Sequence, residues 1–252
     1  MRSLEYRCRR VFYEQGAQYG FTGVRSNLYR CYGQGLLQVI TLSKPDKSSY
    51  EICFGVFSLY SRINWISSYP LRSILQYDLH TTFDIKQIPG CEERYIHNPQ
   101  RDIPILLENC VPFFDTLTTH IQLVEMYERM DTNMYSDIRV NDSQKIVPYI
   151  LAGQYNKAIN CITAIEQQNW KAFAQNSRNI SGYGNAEKAR SIANRLLPYI
   201  ILREALTKKE RDAVYQYLHS NHTKNVTQLN KLGIPLIASC CVQLSDLLSD
   251  VE

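Results

Sequence analysis

No two of the eight cysteines stand in a CxxC pair, and no Cys/His ladder has the spacing of a zinc site. They fall at positions 8, 31, 53, 91, 110, 161, 240 and 241, a scatter that argues against a dithiol redox centre or a structural metal. Cys31 and Cys53 sit inside strand-like runs and Cys161 on the apolar side of a helix-like run, where a thiol behaves as a small buried hydrophobe. The chain also has no run of about 18 apolar residues, the length a membrane-spanning helix needs. Its N-terminus has no apolar stretch of the kind that marks a secretory signal. These absences predict a reduced, cytoplasmic protein with no membrane partner. In that compartment the sequons at Asn179 and Asn225 carry no glycan.

The usual carriers of chemistry are missing too. Gly33-Gln34-Gly35 lacks the Lys and Ser/Thr of a phosphate loop and reads as a hairpin turn. There is no GxSxG elbow and no HExxH pair. His219 and His222 stand three residues apart and could share a helical face. Without a third carboxylate or thiolate nearby they make a poor metal site, and they fall where a helix is expected to end, a place that suits a cation. No metal and no cofactor is expected. One His/carboxylate cluster can be assembled: His80 with Asp78 and Asp84, a general base oriented by an aspartate. The same three residues are more simply the wet face of a strand, because they alternate with Tyr77, Leu79, Phe83 and Ile85.

What the chain does have is ordinary globular material. It is 252 residues long, 44% hydrophobic and 21% charged, with enough apolar content for a substantial core. Tyrosine is over-used at 18 residues, and such rings serve both core and surface. The net charge of +4 is uneven. Residues 1–44 hold seven basic side chains against two acidic ones, and the remainder is nearly balanced. Arg7, Arg9 and Arg10 interleave with Leu4, Cys8, Val11 and Phe12, so a helix over residues 2–18 turns its arginines outward. They are a candidate binding surface for an acidic partner or a phosphate backbone. The plainer reading is a solvated face, and no recognised nucleic-acid motif accompanies them.

Ser26 to Tyr60 is the most structured stretch. Leu28–Tyr32, Leu36–Leu42 and Tyr50–Phe57 are rich in β-branched and aromatic residues, and Gly, Pro, Asp and Ser fill the gaps. Gly16 and Gly20 mark the exit of the first helix. Tyr77–Ile85 predicts a fourth strand, Leu71–Leu75 a short helix, and residues 90–104 a loop. Phe113–Arg129 reads as one helix, with Pro112 interrupting an earlier turn. Asp131–Gln144 is the expected linker. Beyond it come a helical hairpin around Leu151–Ala158, a hinge at Ser181–Asn185 with Asn185 as a cap, and a helix with Ile192, Leu196 and Ile200 on its apolar stripe. A capping box at Thr207–Glu210 follows, then a helix end at Gly233. Strands followed by helices predict an α+β fold. Its parts are an antiparallel sheet of about four strands with the first helix on one face, over residues 1–130, and a helical region over 131–252 packed on it as one unit.

Tyr19-Gly20-Phe21, Asn27-Leu28-Tyr29-Arg30, Leu36-Leu37-Gln38-Val39-Ile40 and Tyr50–Phe57 occur in order, with Val111-Pro112-Phe113-Phe114 later. Together they resemble a bacterial family catalogued only as a domain of unknown function, over roughly residues 4–130. In that family a helix leads through a "GF…FYR" strand and a "QVI" strand to an "NLGV" strand, with a later "PFL" helix. The chain departs from it at Cys53-Phe54-Gly55 and lacks its His- and Arg-containing stretch. The resemblance implies a fold and no reaction. The functional expectation is a non-catalytic module that binds a protein partner, of the kind that neutralises a toxin or serves a defence system. The rivals are an enzyme built around His80 and a nucleic-acid binder using the first helix.

Overall fold

β-branched and aromatic side chains between Asn27 and Ser58 pair as a continuous meander. The computed structural model describes residues 4–43, 50–62, 95–132, 142–176 and 182–235. The fold is α+β. Helix α1 (Leu4–Gln18) leads into strands β1 (Thr22–Val24), β2 (Asn27–Tyr32), β3 (Leu36–Ser43), β4 (Tyr50–Ser58) and β5 (Tyr95–Ile96). These form one antiparallel sheet in the order β1-β2-β3-β4-β5. Among the described residues six helices follow: α2 (Pro99–Asp115), α3 (His120–Thr132), α4 (Asp142–Leu151), α5 (Tyr155–Asn176), α6 (Gly182–Thr207) and α7 (Arg211–Lys231). The three strands expected from Ser26 to Tyr60 are present to within a residue or so at each end, and the short β1 and β5 are additions to them. Tyr77–Ile85, and with it Asp78, His80 and Asp84, lies outside the described residues, as does Leu71–Leu75.

The sheet is covered on both faces. Leu28, Leu36, Ile40 and Val56 pack with Cys8 and Phe12 of α1 and with α2 and α3. Tyr29, Cys31, Leu37, Val39 and Phe57 face the other way, against Leu229 and Ile234 at the end of α7. Two-sided burial explains why Leu36–Leu42 reads as a near-continuous apolar run with no wet alternation. A third cluster, in α4 to α7, takes in Tyr60 and Val124. Cys8, Cys31, Cys110 and Cys161 are thiols rather than disulfides, and burial raises the pKa of Cys8 to about 11.

Several helix boundaries differ from expectation, each for a local reason. α1 runs through Gly16, which is a packing residue: an added Cβ would lie 2.3 Å from Leu28 Cδ1. The helix closes at Gly20, where the Gly20 and Phe21 amides donate to the Ala17 and Gly16 carbonyls. That pair of bonds, the Schellman arrangement, recurs at Gly153 after α4 and at Gly233 after α7. It also ends α6, with Lys209 in the left-handed conformation (φ 57°). Thr207 therefore is no N-cap; its hydroxyl donates to the Arg203 carbonyl inside α6. Asn185 likewise lies within α6, so the expected hinge is partly helical from Gly182.

α2 begins at Pro99, inside the expected loop, because proline is well suited to the first helical position. Asp102 accepts from the His97 and Asn98 amides at 2.8 and 2.6 Å and fixes that start. Pro104 and Pro112 sit inside the helix. The carbonyls they leave unpartnered belong to Gln100 and Glu108, both exposed residues that water can serve. The expected helix Phe113–Arg129 is broken at Thr116–Thr119. There the Gln122 amide donates to Thr119 Oγ1 at 3.2 Å, and Gln122 Oε1 accepts from the Thr119 amide at 3.0 Å. This is a reciprocal capping box, and it starts α3.

One charged group ties these elements together. Arg30 of β2 donates to Gln38 Oε1 of β3 at 2.9 and 2.6 Å, to the Tyr19 carbonyl at 2.9 Å and to Asp115. Gln38 Nε2 in turn donates to the Phe114 carbonyl at 2.9 Å. The rings of Phe21 and Tyr32 flank the guanidinium, with centroids 4.5 and 4.6 Å away.

The β2–β3 turn presses on the α2–α3 connection. The Gln34 amide donates to the Thr118 carbonyl at 2.7 Å, and a methyl group added at Gly33 would meet that oxygen at 2.2 Å. Gly33 and Gly153 both have positive φ, 57° and 73°, but a methyl group added at Gly153 would meet nothing within 4 Å. Gly153→Ala is expected to cost about 1–2 kcal/mol from the left-handed backbone alone. Gly33→Ala should cost roughly 1–3 kcal/mol more, because backbone has to move. Urea unfolding of both variants decides this, and equal losses would refute the close approach.

Candidate functional site

Polar side chains are brought together at three places, and their geometry separates connectors from surfaces. The first is buried. Ser58 at the end of β4 and His120 at the start of α3 are each 1% exposed, and Ser58 Oγ lies 2.9 Å from His120 Nε2. Tyr60 meets His120 edge-on at 6.0 Å and stacks on His222 of α7 at 4.6 Å. Beside them Asn225 donates to the carbonyls of Leu59 and Ser61 at 2.7 and 2.8 Å. This side chain is buried and doubly committed, so the sequon at Asn225 is closed to a glycan in the folded chain.

A serine hydroxyl on an imidazole is the start of a nucleophilic pair. Here the rest of the apparatus is lacking among the described residues. His120 Nδ1 has no hydrogen-bond partner to orient the ring. Burial holds the imidazole down at about 3, far below the range useful to a general base. Its place at a helix N-terminus disfavours the cation further. The arrangement locks α3 and α7 to the sheet edge. Serine and histidine stand 62 residues apart in sequence, so no spacing motif announces them.

His219 and His222 lie in the middle of α7, not at a helix end, and they diverge. His219 is exposed and stacks on Tyr215 at 5.6 Å, whereas His222 lies against Tyr60. Burial, and then the neighbouring His219, lower the His222 value. Among the described residues no group of three or more His, Cys, Asp or Glu side chains is placed to hold a metal ion. No helix among them is long and apolar enough to cross a membrane.

The second place is an open groove of about 590 Å³ between the α4–α5 turn and the end of α6. Gln154, Tyr155, Lys157, Thr207 and Lys209 line it, with no carboxylate, imidazole or thiol for acid–base work. Lys157 is already held by Glu128 at 2.6 Å.

The third is the helical surface. On α1, Cys8 and Phe12 point inward and Arg7, Arg9 and Arg10 are exposed. Arg9 is paired with Glu5 at 3.0 Å and Arg10 with Glu14 at 2.7 Å. The α5–α6 pair differs. Arg203 bonds Glu166 at 2.7 Å and Arg195 bonds Asn169, which joins the two helices. Yet Trp170 on α5 and Leu197 and Ile201 on α6 stand 40%, 51% and 55% exposed. Of the expected stripe Ile192 and Leu196 are buried and Ile200 is half-buried, so the exposed aliphatic pair lies on another side of the same helix.

No family model, curated protein or solved structure matches the chain, so the roles of its residues rest on this geometry.

The buried imidazole sets a pH dependence. His120 falls from 6.5 to about 3 on folding, so the unfolded chain binds a proton that the folded chain refuses. Its contribution to stability is complete above about 6.5 and is lost as the pH drops toward about 3. The expected slope approaches about 1.4 kcal/mol per pH unit in that window. Urea unfolding at pH 7.5, 6 and 5 should show His120→Gln less pH-dependent than the unaltered chain. Identical slopes would mean that His120 is not held neutral.

Proposed function

We propose that the chain is a non-catalytic module that binds another protein. The observation that carries this reading is the exposed aliphatic pair on α6, Leu197 and Ile201, one turn apart, with the exposed indole of Trp170 on the neighbouring helix. Single exposed apolar residues are unremarkable, but side chains that share a helical face form a patch of the kind that partners cover. Tryptophan is among the residues that contribute most when covered. The buried Ser58–His120 pair favours the same reading, because it is committed to holding helices on the sheet and offers no exposed nucleophile. A stoichiometric binder is also what a toxin-neutralising or defence-associated role requires.

The test uses the full chain, tagged and expressed in its native host. After nuclease treatment it is expected to elute from a sizing column with a stoichiometric protein partner. Recovery with nucleic acid alone, lost on nuclease treatment, would overturn the reading.

A further inference from the structure

Hydrogen bonding at the exit of β4 is incomplete. His120 Nδ1, His222 Nε2, Asn221 Nδ2 and Ser61 Oγ are buried there without a partner, where buried polar atoms ordinarily have one. Tyr60 stands between the two imidazoles, meeting His120 of α3 at 6.0 Å and His222 of α7 at 4.6 Å. An imidazolium donates from both ring nitrogens. At His120 Nε2 that proton could go to Ser58 Oγ, 2.9 Å away, but Nδ1 has no acceptor. His222 Nε2 has none either. The Tyr60 ring would attract a cation by about 1–2 kcal/mol, which does not offset charged donors buried without acceptors.

No anion compensates either ring among the described residues. Tyr60 faces both from the sheet. On α7 His219 disfavours a cation at His222 further, and Tyr217 lies near Arg62. On α3 and α4, Glu125 is exposed, Glu128 is held by Lys157, and Arg129 and Lys145 are themselves cations.

The two imidazoles also sit where the attachment of α7 changes. Before them Val214 and Leu218 belong to the helical core. After them the chain rests on the sheet: Asn225 bonds the Leu59 and Ser61 carbonyls, and Leu229 and Ile234 pack with Tyr29, Cys31, Leu37, Val39 and Phe57.

We propose that this joint is an acid-operated latch: a proton taken up by His120 or His222 releases residues 222–234 from the sheet while the rest of the fold stays closed. Burial lowers the proton affinity of both rings, and opening to water restores it. The open form therefore binds the proton more tightly, so acid favours release and neutral pH keeps the latch closed. What acid uncovers is the apolar sheet face around Tyr29, Leu37 and Phe57. The device is independent of what the chain binds, and it differs from global acid unfolding in leaving the α1 side of the sheet covered.

The test is pulse labelling of the full-length chain with dithiodipyridine, a thiol reagent active in acid, at pH 7.5 and 5. Modified cysteines are located by peptide mass spectrometry, and rates are divided by those of the urea-unfolded chain at each pH. Cys31 is buried on the face that Leu229 covers and reports on the latch; Cys8 and Cys110 are buried on the opposite face and report on global unfolding. Between the two pH values Cys31 is expected to gain about tenfold or more, and Cys8 and Cys110 less than about twofold. His120→Gln plus His222→Gln should remove most of the Cys31 gain. If circular dichroism shows that variant unfolded at pH 7.5, His222→Phe, which keeps a ring on Tyr60, should still reduce the gain. No gain at Cys31, an equal gain at all three thiols, or an unchanged gain in the folded variant would overturn the inference.

Discussion

The guanidinium of Arg30 is the constraint on which the rest of the N-terminal half depends. It sits on the α1-facing side of β2 and reaches the carbonyl that follows α1 and the carboxylate that ends α2. Both helices present their C-terminal ends to it, so the cation lies at the negative ends of two dipoles. Gln38 extends the contact from β3 to the last turn of α2. The pair is part-buried, with Asp115 38% exposed, so solvent screens it and desolvation of Arg30 offsets much of the attraction. Its stronger effect is negative: any arrangement of α1 or α2 that leaves the nearly covered guanidinium without acceptors is disfavoured. The side chain thus selects where the two helices lie on the sheet.

A second polar joint does the same for α3 and α7. Ser58, His120, Tyr60, His222 and Asn225 meet where β4 leaves the sheet. The Asn225 amide satisfies two loop carbonyls that would otherwise be buried without a donor. Leu229 and Ile234 then continue the contact onto the sheet as apolar packing. The residue types that elsewhere perform catalysis here supply directional contacts between distant segments. Their chemistry is spent inside the fold.

Strands β2, β3 and β4 were legible because their signal is local: β-branched and aromatic runs bounded by Gly33-Gln34-Gly35 and Pro45-Asp46. The buried stripe of Ile192 and Leu196 was legible for the same reason. Helix ends were less so. Pro99 resembles a loop residue in composition, yet its fixed φ favours the first helical turn. Thr119 and Gln122 had the capping-box spacing inside an apolar pattern that looked unbroken, while Thr207 and Glu210 had it at a helix end. Lys209 takes a left-handed conformation that a sequence normally signals with glycine. Contacts such as Ser58 with His120 join segments that only the fold brings together, so no periodicity could reveal them.

Charge was legible as a total and not as a field. The sequence places its densest basic stretch at the N-terminus, where Arg9 and Arg10 are matched by glutamates one turn away on the same helix. Such exposed pairs add only a few tenths of a kcal/mol to the helix. Their larger effect is to cancel much of the potential that a partner would sense, since opposite charges about 3 Å apart look nearly neutral beyond a Debye length. Lys171, Lys188, Arg190 and Arg195 of α5 and α6 have no carboxylate partner among the described residues. A smaller number of unmatched charges therefore sets a stronger field than a larger number of matched ones. What decides it is pairing, which depends on side-chain position and is invisible in a count of residues.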